Sequence, residues 1–344
     1  MLTFVVFKCG RHLRNNIKSL MPSNEVKDRD EHSLKELVDK NGNIIGDISW
    51  LLDFAVIGFP KSGTSFMKDY LNQTQETFVY HKEFCIKKES DLKRFVEIYH
   101  DLHVRFQQPT HNKTMRFGLK CPGVLYRAYD MEIFEKYFPT TKLIVGLRHP
   151  VSWFESFYNY QMVRNVSMPS LTSLVGKCES HQKVCTDRAR FHSALARLKK
   201  TLMSEKEELD LLFGNRYEGK YNSLHKQRLL NEPEESPNKL LLYELRQIHN
   251  NDTAREVSSS LRNYLDIKQE LPLILPFKQV KPRAINICDD EHVNVRSLLV
   301  EHGTDAAVWM RRYLFKNPTV QIASPESFDR LLDSWSVDPC AHEN

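Results

Sequence analysis

The chain has 344 residues, 41% of them hydrophobic and 27% charged, with a formal net charge of +5. That balance supplies ample core for one large domain or two smaller ones and excludes a low-complexity or disordered polymer. So small a charge surplus does not by itself imply binding to nucleic acid, and no such partner is expected.

Residues 2–7 are an apolar run of six with no basic stretch before it, far short of the roughly 20 residues a spanning helix needs. Membrane association is therefore expected only through an anchor outside this chain. Residues 8–41 are polar and charged, interrupted by Pro22, Ser23 and Asn24, and a flexible lead-in is expected over 1–44. A single domain is expected over 45–330, with a tail over 331–344.

The first informative segment is 54–71, FAVIGFPKSGTSFMKDYL. Its run 54–57 is short and β-branched, as in a strand buried on both faces, and the strand is expected to reach 59. Gly58, Pro60 and Gly63 make a turn, after which Phe66, Met67, Tyr70 and Leu71 recur at helical spacing. Such a turn offers an anion the unpaired N–H groups and the positive dipole end of a helix. Lys61, Ser62, Thr64 and Ser65 add a cation and three hydroxyls. The Walker loop places lysine after its last glycine, beside a magnesium-binding hydroxyl. Here Lys61 precedes Gly63, which puts the ammonium on the strand side of the turn. Taken alone, the segment also fits a plain glycine turn without a ligand.

Helices are expected over 91–103 and around 128–138. The segment 142–158, KLIVGLRHPVSWFESFY, is a second apolar strand ending at Arg148, followed by a helix from 151. Pro150 suits the start of that helix because its missing N–H costs nothing there. Arg148 and Ser156 lie eight residues apart, a little over two helical turns, so both can face one phosphate. A guanidinium stays charged and binds oxyanions bidentately, although a surface ion pair is the plain alternative. Between 177 and 200, seven Lys/Arg stand against two acids, as in a basic rim or a solvated helix face. Helical segments through 212 lead into 214–238, rich in Gly, Asn, Pro and Glu and read as a surface insertion. A strand over 240–245 and helices over 254–265 and 292–314 come next, with Trp309, Tyr313 and Leu314 as a core-facing stripe. The alternation implies an α/β, P-loop-like three-layer fold with a central parallel sheet flanked by helices. Lys61 and Arg148 then fall at carboxyl strand ends, where ligands of such sheets gather.

The run PKSGTS at 60–65 resembles the 5′-phosphosulfate loop of the sulfotransferases that use 3′-phosphoadenosine 5′-phosphosulfate (PAPS). Arg148, Pro150 and Ser156 resemble their R-x-P-x5-S site for the 3′-phosphate. FGLKCPGVLY at 117–126, with Lys120 and Pro122, is similar to a segment of the Golgi carbohydrate (heparan-sulfate-like) enzymes, as is LLLYEL at 240–245. Lys82 and Glu83 align with the Lys-Glu pair of the same group, and the likeness spans roughly 53–314.

The resemblance implies PAPS as donor, PAP as the nucleotide left behind, no metal, and an acceptor hydroxyl on a carbohydrate. It implies Lys61 at the leaving phosphosulfate oxygen, with Ser62, Gly63, Thr64 and Ser65 around the 5′-phosphate and Arg148 and Ser156 on the 3′-phosphate. Glu83 would be the general base. His81 is the rival, since cytosolic relatives use histidine and its pKa suits neutral pH. Lys120 would reach the acceptor or the transferring group. Lys281 and Arg283, with Lys278, would form the basic loop over the nucleotide, although Pro282 stands where that loop usually has glycine. Adenine needs a stacking partner, with Trp153 and Phe154 among the candidates. Sterol or phenol acceptors are an alternative and need an apolar pocket. A nucleotide kinase or NTPase is another, and needs an acidic metal ligand where Arg148 stands.

The seven cysteines are odd in number and scattered, spelling neither a disulfide framework nor a zinc site. Cys178 and Cys185 are close enough in sequence to bridge in an oxidising compartment. Sequons at Asn72, Asn112, Asn165 and Asn251 are compatible with a secretory route, and the family points to the Golgi lumen.

Overall fold

The structure, a computed structural model, describes residues 33–106, 115–126, 128–179, 182–196, 198, 239–274 and 284–341. The first 32 residues of the lead-in expected over 1–44, the insertion expected over 214–238, and Lys278, Lys281 and Arg283 lie outside them.

A short helix α1 (Leu34–Leu37) precedes strand β1 (Phe54–Val56), helix α2 (Thr64–Leu71) and strand β2 (Thr77–Val79). Helix α3 (Glu89–Phe106) leads to β3 (Arg116–Lys120), α4 (Ala128–Tyr137), β4 (Lys142–Leu147) and α5 (Pro150–Val163). Next come α6 (Phe191–Ala196), β5 (Leu240–Glu244), α7 (Asn251–Leu265), α8 (Val293–Tyr313), β6 (Val320–Ile322) and α9 (Pro325–Asp333). Local chemistry sets several boundaries. α3 opens with Glu89 and Asp91 and closes with Arg105, each favourable to the helix dipole. Pro150 starts α5, where the His149 ring accepts a hydrogen bond from the Val151 N–H. The Asn250 side chain caps α7 by accepting from Asp252 and Thr253.

The six strands form one parallel sheet in the order β2-β3-β1-β4-β5-β6. Because successive strand residues point to opposite faces, Ala55, Leu119, Leu143, Val145 and Leu242 enter one core with α3, α4, α5, α8 and α9. Phe54, Val56, Ile144, Leu241 and Tyr243 enter the other with α2 and α7. Both faces are covered, the expected three layers. From β1 the chain crosses to β2 on one side, whereas from β4 it crosses to β5 on the other. β1 and β4 therefore flank the switch point of the sheet, the place where ligands of such sheets gather.

β1 ends at Val56 rather than at 59, although the Ile57 N–H still donates to Ile144 before the chain turns away. β2 and β6, three residues each, and β3 are strands the sequence did not announce, being too short or too irregular for a period. Past residue 330, Leu332 and Trp335 are buried and Cys340 is bonded to Cys288. The cysteines correct the sequence reading. Cys85–Cys121, Cys178–Cys185 and Cys288–Cys340 are disulfides, a framework invisible in the spacing because two of the bonds join distant segments. The short bridge from Cys178 to Cys185 is the one anticipated. Among the described residues, no helix is long and apolar enough to cross a membrane.

Candidate active site

The turn 58–63 leaves β1 and runs beneath the end of β4. Lys61 takes a left-handed backbone conformation (φ 68°) and Gly63 follows at φ 79° as the N-cap of α2. Glycine suits that N-cap because a Cβ there would come within 2.7 Å of the Leu245 side chain. Gly146, in β4, is required by crowding: a Cβ would lie 2.3 Å from the Ser62 carbonyl oxygen and 2.5 Å from the Tyr243 hydroxyl. Two aromatics the sequence did not single out for this task fix the turn from outside. The Trp153 indole N–H donates to the Pro60 carbonyl at 2.7 Å, and the Tyr243 hydroxyl donates to the Ser62 carbonyl at 3.2 Å. Trp153 and Phe154 are both fully buried, so neither presents a face to adenine.

The predicted anion-binding residues converge. Ser62 is buried and its hydroxyl has no hydrogen-bond partner in the structure. Gly63 offers no side-chain cap, so the first-turn N–H groups of α2 point at whatever occupies the loop. Thr64 is buried and Ser65 exposed. Arg148, from the end of β4, donates through Nη1 to the Lys61 carbonyl at 3.3 Å, joining the loop after β4 to the loop after β1. Burial holds the Arg148 guanidinium below its usual pKa, while Glu155 and Glu244 raise it. The Lys61 ammonium lies 4.5 Å from the centre of the Tyr160 ring. Tyr160 is one turn beyond Ser156 on α5, so half-buried Ser156 shares the face that looks toward the loop.

A second group forms on the other side of β1. Lys120, at the end of β3, donates from Nζ to the Ser65 hydroxyl and to the Glu83 carboxylate, both at 3.1 Å. The Lys120 side chain is 11% exposed and that of Glu83 53%, so the lysine is sunk beneath a carboxylate that faces solvent. His81 is also exposed, its carbonyl accepts from Lys68 at 3.3 Å, and its ring centre lies 4.5 Å from that of Tyr80. Glu244, at the end of β5, is fully buried and accepts from the Arg246 N–H and guanidinium. Burial pushes its carboxyl up, and Arg246 and Arg148 pull it back. Asn159 and Glu155 of α5 were not foreseen. Asn159 Oδ1 accepts from the N–H groups of Ala284 and Ile285, and Glu155 accepts from Ile287, holding the chain just after the expected basic loop. The Lys281 and Arg283 expectation itself falls outside the described residues.

A glycine turn feeding a helix N-terminus stands at the switch point of this α/β sheet with Arg148 bonded to it, an arrangement able to receive an anion. A model of the sulfotransferase domain matches residues 55–247, more than half of the chain, and the chain belongs to that family. It is thus a sulfotransferase, an enzyme of sulfuryl transfer, and the family implies a sulfate donor such as PAPS together with an acceptor. A crystal structure of a sulfotransferase from Alicyclobacillus acidocaldarius aligns over 77% of this chain and 97% of that one, at 13% identity and a TM-score of 0.41. No curated protein matches the chain by sequence.

Proposed function

We propose that the enzyme transfers the sulfuryl group of PAPS to a carbohydrate hydroxyl by in-line displacement assisted by a general base. The observation that carries this reading is the meeting of Lys61 and Arg148 across the switch point, 3.3 Å from guanidinium to carbonyl. One nucleotide with phosphates at both ends suits two cations on neighbouring strand tips. The donor supplies an activated sulfuryl group carrying less charge than a phosphoryl group, so a lysine can meet the charge that develops on the leaving oxygen. Lys61 would do this, with Ser62, Gly63, Thr64 and Ser65 holding the 5′-phosphate and Arg148 and Ser156 the 3′-phosphate. The buried hydroxyl of Ser62 supports the fit, because a polar atom so placed gains from a ligand oxygen.

Glu83 would take the acceptor proton. Its exposed carboxylate is tied through Lys120 to Ser65, a line from the solvent side to the donor loop, and that tie is what favours it over His81. The polar, exposed surroundings of His81, Lys82 and Glu83 favour a polyhydroxyl acceptor over a sterol or phenol. Three disulfides fit an oxidising compartment and support a secretory, Golgi-type location.

The test is turnover of labelled PAPS against desulfated heparin, chondroitin, cholesterol and p-nitrophenol. A glycan is expected to accept label, and Lys61→Ala to lower turnover at least ~100-fold. Label reaching only cholesterol or p-nitrophenol would replace the carbohydrate reading, and stabilisation by ATP with magnesium but not by PAP would remove the donor.

A further inference from the structure

We propose that the Cys85–Cys121 disulfide is a positioning device for Glu83, setting where the carboxylate stands relative to the donor loop. The inference rests on the reading of Glu83 as general base. Glu83 lies in the stretch between β2 and α3, which has no helix or ladder of its own. Phe84 and Ile86 bury their side chains on either side of Cys85, which fixes depth, but apolar burial is non-directional and does not choose the strand end the segment faces. Before Glu83, Lys68 donates to the His81 carbonyl at 3.3 Å; after it, two links tie the segment to the end of β3. The Phe84 N–H donates to the Lys120 carbonyl at 3.1 Å, and Cys85, two residues after Glu83, is bonded to Cys121, the neighbour of Lys120.

Cys121 is itself anchored: it is fully buried, and its N–H donates to the Val56 carbonyl at 3.0 Å, at the end of the strand that feeds the donor loop. A path of one disulfide and one backbone hydrogen bond therefore runs from the Glu83 segment to the end of β1, parallel to the Glu83–Lys120–Ser65 line of polar contacts. The polar line alone is a poor restraint, because the Glu83 carboxylate is half exposed and competes with water for Lys120. Cys85 and Cys121 touch no reacting group in this arrangement. They act through Glu83 and Lys120.

The experiment compares Cys85→Ala/Cys121→Ala with the intact enzyme, each with and without Glu83→Gln, using PAPS and whichever acceptor of the panel above gives turnover. Removal of the bridge is expected to lower kcat about 10- to 100-fold, the scale of a small misplacement at a reacting centre, with the Kd for PAP unchanged within about twofold. The diagnostic is the cycle. Glu83→Gln should cost at least ~100-fold in the bridged enzyme and less than ~10-fold in the unbridged one, where the base is already displaced. Cys178→Ala/Cys185→Ala should leave the cycle as in the intact enzyme. Undiminished kcat without the bridge, or an equal cost of Glu83→Gln in both backgrounds, overturns the proposal. A bridged enzyme indifferent to Glu83→Gln instead removes the base assignment, and this inference with it. If the alanines unfold the protein, shown by lost PAP binding, Cys85→Ala/Cys121→Val fills the buried side and is read in the same way.

Discussion

On the proposed reading, donor recognition turns on Arg148. Its guanidinium is already partly desolvated and bonded to only one carbonyl of the loop, so an arriving phosphate gains charge-assisted bonds against little competing water. Arg148→Ala is expected to weaken PAP binding by about 10- to 100-fold, the equivalent of one lost hydrogen bond to a charged group. The same change should leave binding of AMP, which lacks the 3′-phosphate, nearly unaltered. Calorimetry with the two nucleotides separates these cases, and an equal loss for both would put Arg148 elsewhere on the ligand. Arg148, Lys61 and the loop hydroxyls were legible in the sequence because strand, turn and helix are local there and the side chains name their own chemistry. The contact of Lys120 with Glu83 and Ser65 was not legible as geometry. It joins residues 37 and 55 positions apart and exists only once β3 lies beside β1.

At the scale of elements, the ends of β4 and β5 do more than carry site residues, since they form the floor under the donor loop. Gly146 leaves room for the Ser62 carbonyl and the Tyr243 hydroxyl, and Tyr243 then holds that carbonyl. Gly146→Ala is expected to destabilise the protein by about 1–3 kcal/mol through overpacking and to weaken PAP binding, although position 146 touches no ligand in this reading. Urea titration and PAP calorimetry together check it, and a stable variant with intact affinity would show that the loop can shift freely. β4 and β5 could be read from their apolar runs. β2 and β6 could not, because three residues set no period, and their place in the sheet comes from tertiary pairing with β3 and β5. Trp153 teaches the converse. An aromatic beside a phosphate motif suggested adenine stacking, but the fold buries it to bond Pro60.

For the whole molecule, several buried histidines contribute to the response to acid. Burial, aided by nearby Arg246, holds His149 down at about 4; burial with Arg190 puts His302 at about 4; and burial, Arg190 and His302 put His192 at about 3. The unfolded chain keeps these rings near 6.5 and so binds more protons than the native state between about 4 and 6.5. Their contribution is fully present above 6.5 and is lost as pH falls through that window. A melting temperature that declines from pH 6.5 to pH 4 is expected, and a flat profile would show that the rings are not buried neutral. The Cys288–Cys340 bridge closes a separation of 52 residues around α8, and its removal should cost about 2–4 kcal/mol, measurable by urea titration of Cys288→Ala/Cys340→Ala. The strand order has a temporal consequence as well. β1 precedes the other described strands of the sheet in the chain, and its two neighbours, β3 and β4, begin 62 and 88 residues after it. A nascent chain must shelter the bare run FAVIGF until both emerge, which predisposes this enzyme to slow maturation and to dependence on chaperones during synthesis.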